Sequence, residues 1–395
     1  MRCSGTSSIH QLLGDRLLFR DLQPIDPGLP GIDELRPRLG LEPGRIPRKS
    51  EPIHARIVAE ILRAAAGNRG SFPLRYLLMV GDTQRNDVLL FRNLCEATGW
   101  EGRAFIGCED SASPEPDPLT TSDERQDVVF ASRWASLAAF QSEVAQDGLG
   151  LDERTIVIVD IDKTLIGARG RNDHAIDAAR LEAARRTASD VLGSAAVPTH
   201  FEDTYHELNR PEWHPFTSDD QDVVVLLTSL VAADLAPWLQ TAAHRSAVPE
   251  VNLRGLLEML DSRRLPSAAT DLIDKMLARI DAGAPTLLPE FREAEFAATV
   301  ARMGQLADDA TPEELLQEEI VLTAEVLTAV MEWQRRGCTV FGVSDKPPEA
   351  CFPGSNPAGS RPLPLHQTIT HVVGEDRAGE RPQGAPDRPR LPGGD

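Results

Sequence analysis

The chain is organised around the stretch Thr155-Ile156-Val157-Ile158-Val159-Asp160-Ile161-Asp162-Lys163-Thr164-Leu165. In this stretch, five apolar or β-branched residues run directly into two carboxylates. The apolar run is short and has no helical period, which is typical of a strand buried on both faces of a parallel sheet. Ligands of such sheets bind at the carboxyl ends of the strands, where Asp160 and Asp162 lie. Two carboxylates this close repel each other, and a divalent cation is the usual remedy. A strand that ends in a solvated acidic turn is the alternative.

The composition of the 395-residue chain restricts the classes of function. Hydrophobic residues make up 41% of it, enough for two domains with buried cores. The formal net charge of −20 argues against nucleic acid or an anionic membrane surface as a partner. No run approaches about 18 apolar residues and residues 1–8 lack an apolar h-region, so we expect neither a membrane span nor a signal peptide. The five cysteines lack C-x-x-C spacing, which is typical of reduced thiols in a cytoplasmic protein.

A second strand end carries acidic side chains. The apolar run at residues 74–80 predicts a buried strand, and it ends in Gly81 and Asp82, with Asp87 five residues further on. Asp82 therefore lies at the carboxyl end of a predicted strand, as Asp160 does. A Gly-Asp turn after a strand is also a common structural feature, and Asp87 alternatively caps the helix that follows.

A helix start precedes this strand. Ser50 is a good N-cap and Pro52 suits the first turn, so a helix is predicted over residues 53–66. Lys49 lies directly before it. Lys49 either supplies a cation to a functional site or is an ordinary surface lysine. Arg48 is the alternative residue for the role of that cation.

The C-terminal part repeats the pattern of a strand followed by a polar residue. A capping box at Thr311–Glu314 opens a long helix predicted over residues 311–336. A strand at residues 339–343 then delivers Ser344, and Lys346 follows two residues later. Lys346 either assists a site or is simply exposed.

Helical patterns dominate the middle of the chain. They lie at residues 175–192, 222–241, 253–263, 268–282 and 289–306, and residues 223–227 are ambiguous between helix and strand. Upstream of the organising strand, residues 103–107 predict a short strand, and the apolar spacing over residues 128–144 predicts a helix on a sheet face.

Asp160-x-Asp162-x-Thr164 after a hydrophobic strand resembles the first motif of the haloacid dehalogenase-like (HAD) phosphohydrolases. The resemblance implies that Asp160 attacks phosphorus and that Asp162 is the acid/base. It also implies that Mg²⁺ is bound by the Asp160 carboxylate and the backbone carbonyl of Asp162, and that Thr164 belongs to the phosphate site. Dehalogenases of the family lack the second Asp, so Asp162 favours phosphoryl chemistry.

The other strand ends resemble the remaining motifs of this family. Ser344 resembles the second-motif hydroxyl that binds a phosphoryl oxygen, and Lys49 the third-motif lysine that neutralises the phosphoryl group and the nucleophile. The turn with Asp82 and Asp87 resembles the fourth motif, whose acids complete the metal shell. The resemblance covers the motifs and the strands, and it does not extend to the helical middle.

The motifs follow an order that differs from the family order, because the third- and fourth-motif elements precede the first. No D-x-D occurs before Lys49, and no Gly-Asp turn with a following Asp occurs after Ser344. Each half therefore holds what the other lacks, and two whole domains in tandem do not fit. The economical interpretation is one circularly permuted domain.

We therefore predict an α/β fold with a Rossmann-like HAD core and a large helical cap. Its five-stranded parallel sheet would have strands that end near Val80, Gly107, Val159, Val343 and Val373. The core would span residues 1–165 and 311–374, and the cap residues 166–310. The Pro-, Gly- and Arg-rich residues 375–395 are predicted to be disordered.

The resemblance implies an Mg²⁺-dependent phosphohydrolase that acts on a small phosphorylated metabolite, since a developed cap encloses its substrate. A phosphomutase would share every motif. A nucleotide-sugar transferase would use Asp160 and Asp162 to hold a diphosphate, but it gives no role to Asp82 or Ser344. A catalytically inactive binding module of the same fold is a further alternative. The oligomeric state is not indicated.

The first residues of the predicted cap carry two cations. Arg169 and Arg171 lie between Gly167 and Asp173 and are predicted substrate contacts, with the glycines as hinges. A solvated Arg/Gly turn is the alternative. Further on, His214 either faces the substrate or lies in the core.

Overall fold

We describe the protein from a computed structural model. It describes residues 1–41, 44–67, 73–110, 112–113, 119–121, 127–192, 200–213, 217, 220–232, 255, 258, 267–354 and 362–375. The strands of this part are β1 Arg2–Ser7, β2 Leu17–Leu18, β3 Tyr76–Gly81, β4 Glu101–Gly107, β5 Thr120–Thr121, β6 Val128–Ala131, β7 Thr155–Asp160, β8 Leu322–Thr323, β9 Thr339–Val343 and β10 Thr370–Gly374. Its α-helices are α1 Ile9–Leu13, α2 Ile32–Leu39, α3 Pro52–Gly67, α4 Asn86–Thr98, α5 Leu137–Gln146, α6 Asp173–Leu192, α7 Phe201–Leu208, α8 Gln221–Ala232, α9 Ser267–Asp281, α10 Pro289–Val300, α11 Pro312–Glu318 and α12 Ala324–Arg335.

The main sheet contains seven strands in the order β2-β9-β7-β3-β4-β6-β5. Neighbouring strands run parallel, except that β5 and β6 pair antiparallel. The α/β class is thus confirmed. Because β7 lies between β9 and β3, the carboxyl ends of these three strands meet at one edge of the sheet.

The organising strand β7 is buried on both faces, as its continuous apolar run predicts. Val157 and Val159 pack into a cluster with side chains of α5 and α12. Ile156 and Ile158 point the other way and pack into a second cluster with α3 and α4. Full burial of such a side chain is worth about 1.5–3 kcal/mol, so a one-residue slip of register would be strongly disfavoured.

The predicted count of five core strands is wrong. The last predicted strand forms as β10, but it belongs to a separate three-stranded sheet in the order β1-β10-β8. Residues 2–7, which carry no clear pattern, supply its antiparallel partner β1. Three short strands, β2, β5 and β6, extend the main sheet instead.

Two helix predictions need correction. Residues 128–131 form β6 and not the start of a helix, because pairing with β4 overrides their helical spacing; the helix α5 starts only at Leu137. The long helix predicted over residues 311–336 is divided into α11 and α12 by β8, although the capping box at Thr311 is confirmed. The helix predicted over residues 53–66 is confirmed as α3.

Helices α6 to α10 form a region that we call the helical insert. It has a hydrophobic cluster of its own, drawn from residues 183–291, and the ambiguous residues 223–227 lie in α8 within it. We call the main sheet and the helices packed on it the sheet domain. The first half of α6 packs on this sheet domain through Ala175, Ile176 and Ala179. The helix predicted at residues 253–263 lies outside the described residues, apart from 255 and 258. Among the described helices, none combines the length and the apolar character that a membrane crossing requires.

Candidate active site

The carboxyl ends of three adjacent parallel strands bring the predicted motifs together. Asp160 is the last residue of β7, Asp82 directly follows β3, and Ser344 directly follows β9. Asp160 is the register partner of Val343, the residue before Ser344. Side chains that are far apart in sequence therefore share one edge of the sheet.

Three carboxylates and two cations at this edge form what we call the acidic site. Carboxylate oxygens of Asp82, Asp87 and Asp160 all lie within 4.8 Å of one another, and all three residues are buried. The Lys49 Nζ lies 2.6 Å from both Asp87 Oδ1 and Asp160 Oδ1. The Arg169 Nε donates to Asp82 Oδ2 at 2.5 Å. The site therefore has one carboxylate more than it has cations.

The turn after β3 fixes Asp87 in this site. The Asp87 Oδ2 accepts hydrogen bonds from the backbone N–H groups of Asp82 at 3.0 Å and Thr83 at 2.8 Å, while its other oxygen meets Lys49. Asp87 thus both closes the turn and belongs to the acidic site. Gly81 is required by this packing, because a Cβ there would lie 2.6 Å from the Asp87 carboxyl group.

The excess of carboxylates is visible in the pKa values. Burial, with the Asp87 charge added, raises the pKa of Asp82 to about 7 against the opposing effect of Arg169. Burial also raises the pKa of Asp160 although Lys49 opposes it. Burial acts in the same direction on Asp87, but Lys49 outweighs it and the pKa of Asp87 is lowered. In the absence of a further cation, protonation of one carboxyl group relieves the repulsion.

The acidic site fits the Mg²⁺ ion that the resemblance implies. Its donors are carboxylate oxygens, which hard divalent cations prefer, and they converge within the reach of one ion. The uncompensated negative charge of a buried site is a second reason for the fit.

A strained turn follows Asp160 and contains Asp162. Lys163 adopts a left-handed backbone conformation with φ 62°, which costs about 1–2 kcal/mol for a residue with a side chain. The N–H of Ile166 donates to the Ile161 carbonyl at 3.0 Å and closes the turn. The side chain of Asp162 lies outside the group of three carboxylates.

Asp162 forms ion pairs with Arg180 of α6 and with Lys346. The Arg180 Nη2 donates to Asp162 Oδ2, and the Lys346 Nζ lies 3.2 Å from Asp162 Oδ1. Burial favours the neutral acid, but Lys346 and Arg180 outweigh it, so the pKa of Asp162 is lowered. At neutral pH Asp162 is a carboxylate in this arrangement.

These two contacts belong to a larger set of largely buried charges between the sheet domain and the helical insert, which we call the charge layer. It consists of five cations and five carboxylates: Arg20, Arg48, Arg180, Arg292, Lys346, Asp162, Asp220, Asp222, Glu295 and Asp345. Formal charges within it balance.

Glu295 is the central carboxylate of the charge layer. Its Oε1 lies 3.0 Å from Arg180 Nε and 3.3 Å from Lys346 Nζ, and its Oε2 accepts from Arg292 Nη1 at 2.8 Å. Burial acts to raise the pKa of Glu295, but Lys346 and Arg292 outweigh it and lower the pKa strongly. Asp222 in turn accepts from Arg292 Nε at 2.5 Å.

The two predicted hydroxyl groups are buried near the strand ends. The Ser344 Oγ accepts from the Lys346 N–H at 3.1 Å, and the Ser344 N–H donates to the Leu18 carbonyl at 2.9 Å. The Thr164 Oγ1 is buried and has no hydrogen-bond partner within the described residues. The Thr164 carbonyl accepts from Thr323 Oγ1 at 2.7 Å.

Of the two predicted substrate arginines, only Arg169 reaches the acidic site. Arg171 is buried elsewhere, with Nη1 2.9 Å from Glu325 Oε2 and Nη2 2.9 Å from Glu109 Oε2. The predicted hinge Gly170 has φ 76° and packs tightly, because a Cβ there would lie 2.1 Å from the Glu109 carbonyl oxygen. The segment is anchored to the sheet domain. His214 lies outside the described residues.

A cavity of about 450 Å³ lies beyond Asp82, at the carboxyl ends of β3, β4 and β6. Its described lining includes Asp82, Gln84, Cys108, Asp110 and Phe130. None of the described lining residues is a cation.

Three neighbours of the motifs were not predicted from the sequence: Arg180, Arg292 and Glu295. A signal exists in α10, where Glu295 lies four residues after Phe291 and directly before Phe296 on the buried face. A charge on the apolar stripe of a helix indicates a buried ionic partner. Comparison of the chain with protein-family models, with curated proteins and with solved structures found no match.

Proposed function

We propose that the protein is an Mg²⁺-dependent phosphohydrolase of the haloacid dehalogenase type, with an aspartyl-phosphate formed on Asp160. The observation that carries the proposal is the contact between Lys49 and Asp160, which lie 111 residues apart in the chain and have Nζ and Oδ1 2.6 Å apart. Asp82, Asp87 and Ser344 lie at the same sheet edge. A nucleophile, a fixed cation, metal ligands and a hydroxyl are what phosphoryl transfer requires.

In the first half-reaction an Asp160 carboxylate oxygen attacks phosphorus, and the bond between phosphorus and the leaving oxygen breaks. Asp162 donates a proton to that leaving oxygen. Lys49 offsets charge on the nucleophile and the phosphoryl group, and the hydroxyl groups of Ser344 and Thr164 donate hydrogen bonds to phosphoryl oxygens. A bound Mg²⁺, held by Asp82, Asp87 and Asp160, would further offset the phosphoryl charge.

In the second half-reaction water attacks the phosphorus of the aspartyl-phosphate, and orthophosphate leaves Asp160. Asp162 accepts the proton from this water and returns to the acid form. The carboxylate form of Asp162, paired with Arg180 and Lys346, is the form that can accept this proton. Its action as an acid in the first step requires another anion to pair with the two cations.

A single permuted domain accounts for the order of the motifs. The strands β3, β7 and β9 come in this order along the chain, yet in the sheet β7 lies between the other two. The Lys49 segment comes before all of them and still contacts Asp160. The motif residues lie at the edge of one sheet or contact it, which supports a single domain. In this proposal the helical insert is the cap, and it covers a small phosphorylated metabolite.

The test is covalent trapping with a radiolabelled aryl phosphate, with and without Mg²⁺. We expect Mg²⁺-dependent phosphate release and label retained on the wild-type protein after rapid acid quench. Asp160→Asn should retain no label. Asp162→Asn should form the intermediate and hydrolyse it more slowly by roughly 10²–10⁴-fold. Asp274→Asn, at an exposed carboxylate of α9 outside the acidic site, is the matched control.

Label retained by Asp160→Asn would contradict the nucleophile assignment. A wild-type protein that releases no phosphate but transfers label between two phosphorylated substrates would indicate the phosphomutase instead. Neither release nor transfer, with phosphate esters still bound, would indicate the inactive binding module.

A further inference from the structure

We infer that Arg180 and Lys346 bind an anionic group, a carboxylate or a second phosphate, on the leaving group of the substrate. The inference rests on the proposed function in one respect: the leaving group must come to Asp162. It goes further by naming a substrate class and the side chains that select it.

The position of the two cations follows from their contacts with Asp162. Arg180 donates directly to one oxygen of this carboxylate, and Lys346 Nζ lies 3.2 Å from the other. A general acid must come within about 2.6–3.2 Å of the oxygen that it protonates. The leaving oxygen therefore lies within about 6 Å, the span of two consecutive hydrogen bonds, of the cation that contacts the donating carboxylate oxygen, and the second cation is on the other oxygen of the same carboxyl group.

Glu295 holds both cations in place independently of Asp162. One oxygen of Glu295 contacts Arg180 at 3.0 Å and Lys346 at 3.3 Å, and Arg292 fixes the other oxygen at 2.8 Å. Glu295 is fully buried. A substrate anion would thus meet the partly exposed Arg180 already oriented, with the buried Lys346 on the same Glu295 oxygen, which lowers the entropic cost of binding.

Arg180 retains donor capacity. Its Nε donates to Glu295 and its Nη2 to Asp162, while its Nη1 lies 3.8 Å from an oxygen of Asp177. This distance is beyond a hydrogen bond. The side chain is 17% exposed, so this edge of the charge layer can meet a ligand. A planar guanidinium with free N–H groups suits bidentate recognition of carboxylate or phosphate.

The cavity beyond Asp82 is the rival location for the leaving group. Its described lining contains the carboxylates of Asp82 and Asp110 and no cation. In a chain with a net charge of −20, an anionic group binds only where cations are concentrated locally. Arg180 and Lys346 are two adjacent cations, whereas no cation belongs to the described lining of the cavity, where Arg169 and Arg133 only contact Asp82 and Asp110.

The experiment compares phosphate esters that differ by one carboxylate: 3-phosphoglycerate with glycerol 3-phosphate, and phosphoserine with phosphoethanolamine. We expect kcat/KM of the wild-type protein to be at least about tenfold higher for the member with the carboxylate, as for one charge-assisted pair. Equal values, or a preference for the members without it, would overturn the inference.

Substitution of Arg180 separates recognition from mere positioning of Asp162. Arg180→Met should lower kcat/KM for the carboxylate members by at least about tenfold and remove the preference, with the partner esters changed by less than about threefold. Arg180→Lys keeps the charge without the planar fork and should give an intermediate preference, which covers the case that Arg180→Met does not fold. Arg186→Met, at an exposed position of the same helix, is the matched control. An equal loss on both members of a pair would overturn the recognition role.

A binding measurement distinguishes failure of this inference from failure of the proposed function. Calorimetric titration of Asp160→Asn, in Mg²⁺ buffer, should show tighter binding of 3-phosphoglycerate than of glycerol 3-phosphate. The difference should vanish in Asp160→Asn combined with Lys346→Gln. If the wild-type protein hydrolyses none of the esters but this binding pattern holds, the phosphohydrolase proposal fails and the anion site stands. If hydrolysis occurs without the pattern, the anion site fails alone.

Discussion

The acidic site and the charge layer are both buried sets of ionic side chains, and they differ in their charge balance. The acidic site has three carboxylates against Lys49 and Arg169. The charge layer has five carboxylates against five cations, so its formal charges cancel. Burial of an unbalanced charge is costly, whereas balanced and hydrogen-bonded charges can persist in a closed contact.

This difference indicates which set requires a further cation. The acidic site lacks one positive charge, and a cation or a proton must supply it. The charge layer lacks none in the absence of substrate, and it joins the sheet domain to the helical insert. Asp160 and Asp162 are two residues apart, yet one belongs to the acidic site and the other to the charge layer. Each prediction that follows tests this division.

Substitution of Asp160, the proposed nucleophile, should separate activity from stability most clearly. Asp160→Asn should reduce phosphate release by about 10⁴-fold or more, because no other carboxylate replaces the attacking oxygen. It leaves two carboxylates against two cations, so the metal-free protein should unfold at the same or a higher urea concentration. Initial rates and urea unfolding check this pair of outcomes. A large loss of stability would show that the three carboxylates are not in excess.

Substitution at the centre of the charge layer should lower stability, whereas substitution of Asp160 should not. Glu295→Gln leaves Arg180, Arg292 and Lys346 without their shared carboxylate and should lower the free energy of unfolding by about 3–5 kcal/mol. Glu293→Gln, at an exposed position of the same helix, should change it by less than about 0.5 kcal/mol. Urea unfolding at neutral pH measures both. Equal stability of the two variants would remove the distinction between the two sets.

Metal binding should stabilise the protein through the acidic site alone. At an Mg²⁺ concentration of 100 times Kd, we expect the free energy of unfolding to rise by about 2.7 kcal/mol. Asp82→Asn should lose most of this increment, because it removes one of three carboxylate ligands. Asp345→Asn, in the charge layer, should retain it. Thermal unfolding with Mg²⁺ and with a chelator gives the increments, and an unchanged increment in Asp82→Asn would place the ion elsewhere.

Protonation of the buried His54 in α3 should have a smaller effect on stability. Burial is the largest influence on the pKa of His54 and lowers it from the ordinary 6.5 to about 4. Because the folded-state pKa is the lower one, the stability from neutral His54 is fully present above pH 6.5 and is lost as the pH falls towards 4. Between pH 7 and pH 5 this amounts to about 2 kcal/mol.

His54→Gln cannot titrate and should therefore lose about 2 kcal/mol less stability than the wild-type protein over this interval. Urea unfolding at the two pH values measures the difference. Parallel losses in both proteins would mean that acid destabilisation arises from other groups.

Much of the fold could be predicted because its signals are local. The apolar runs of β3, β7 and β9 each lead into a polar residue, so Asp82, Asp160 and Ser344 could be placed at one sheet edge from the strand ends alone. The capping box at Thr311 is equally local. Parallel pairing then brings such ends together without further information.

The remaining elements depend on partners that are distant in the chain. Residues 128–131 have helical spacing, and pairing with β4 and β5 makes them a strand. The contacts of Asp162 come from α6 and from the loop after β9, 18 and 184 residues away. Arg180 and Glu295 have no local motif, since a buried ion pair is set by the packing of two helices and not by either sequence alone.

The pairing of β1 with β10 has a mechanical consequence. Arg2 pairs with Gly374 and Ser7 with Thr370, so the outer ends of this antiparallel ribbon lie side by side. Force applied in opposite directions at residues 2 and 374 would peel the ribbon open one pair at a time, and each hydrogen bond resists with only about 0.5–1.5 kcal/mol. The main sheet and the acidic site would bear no load until β1 had separated, so the two positions suit tethers or fused domains.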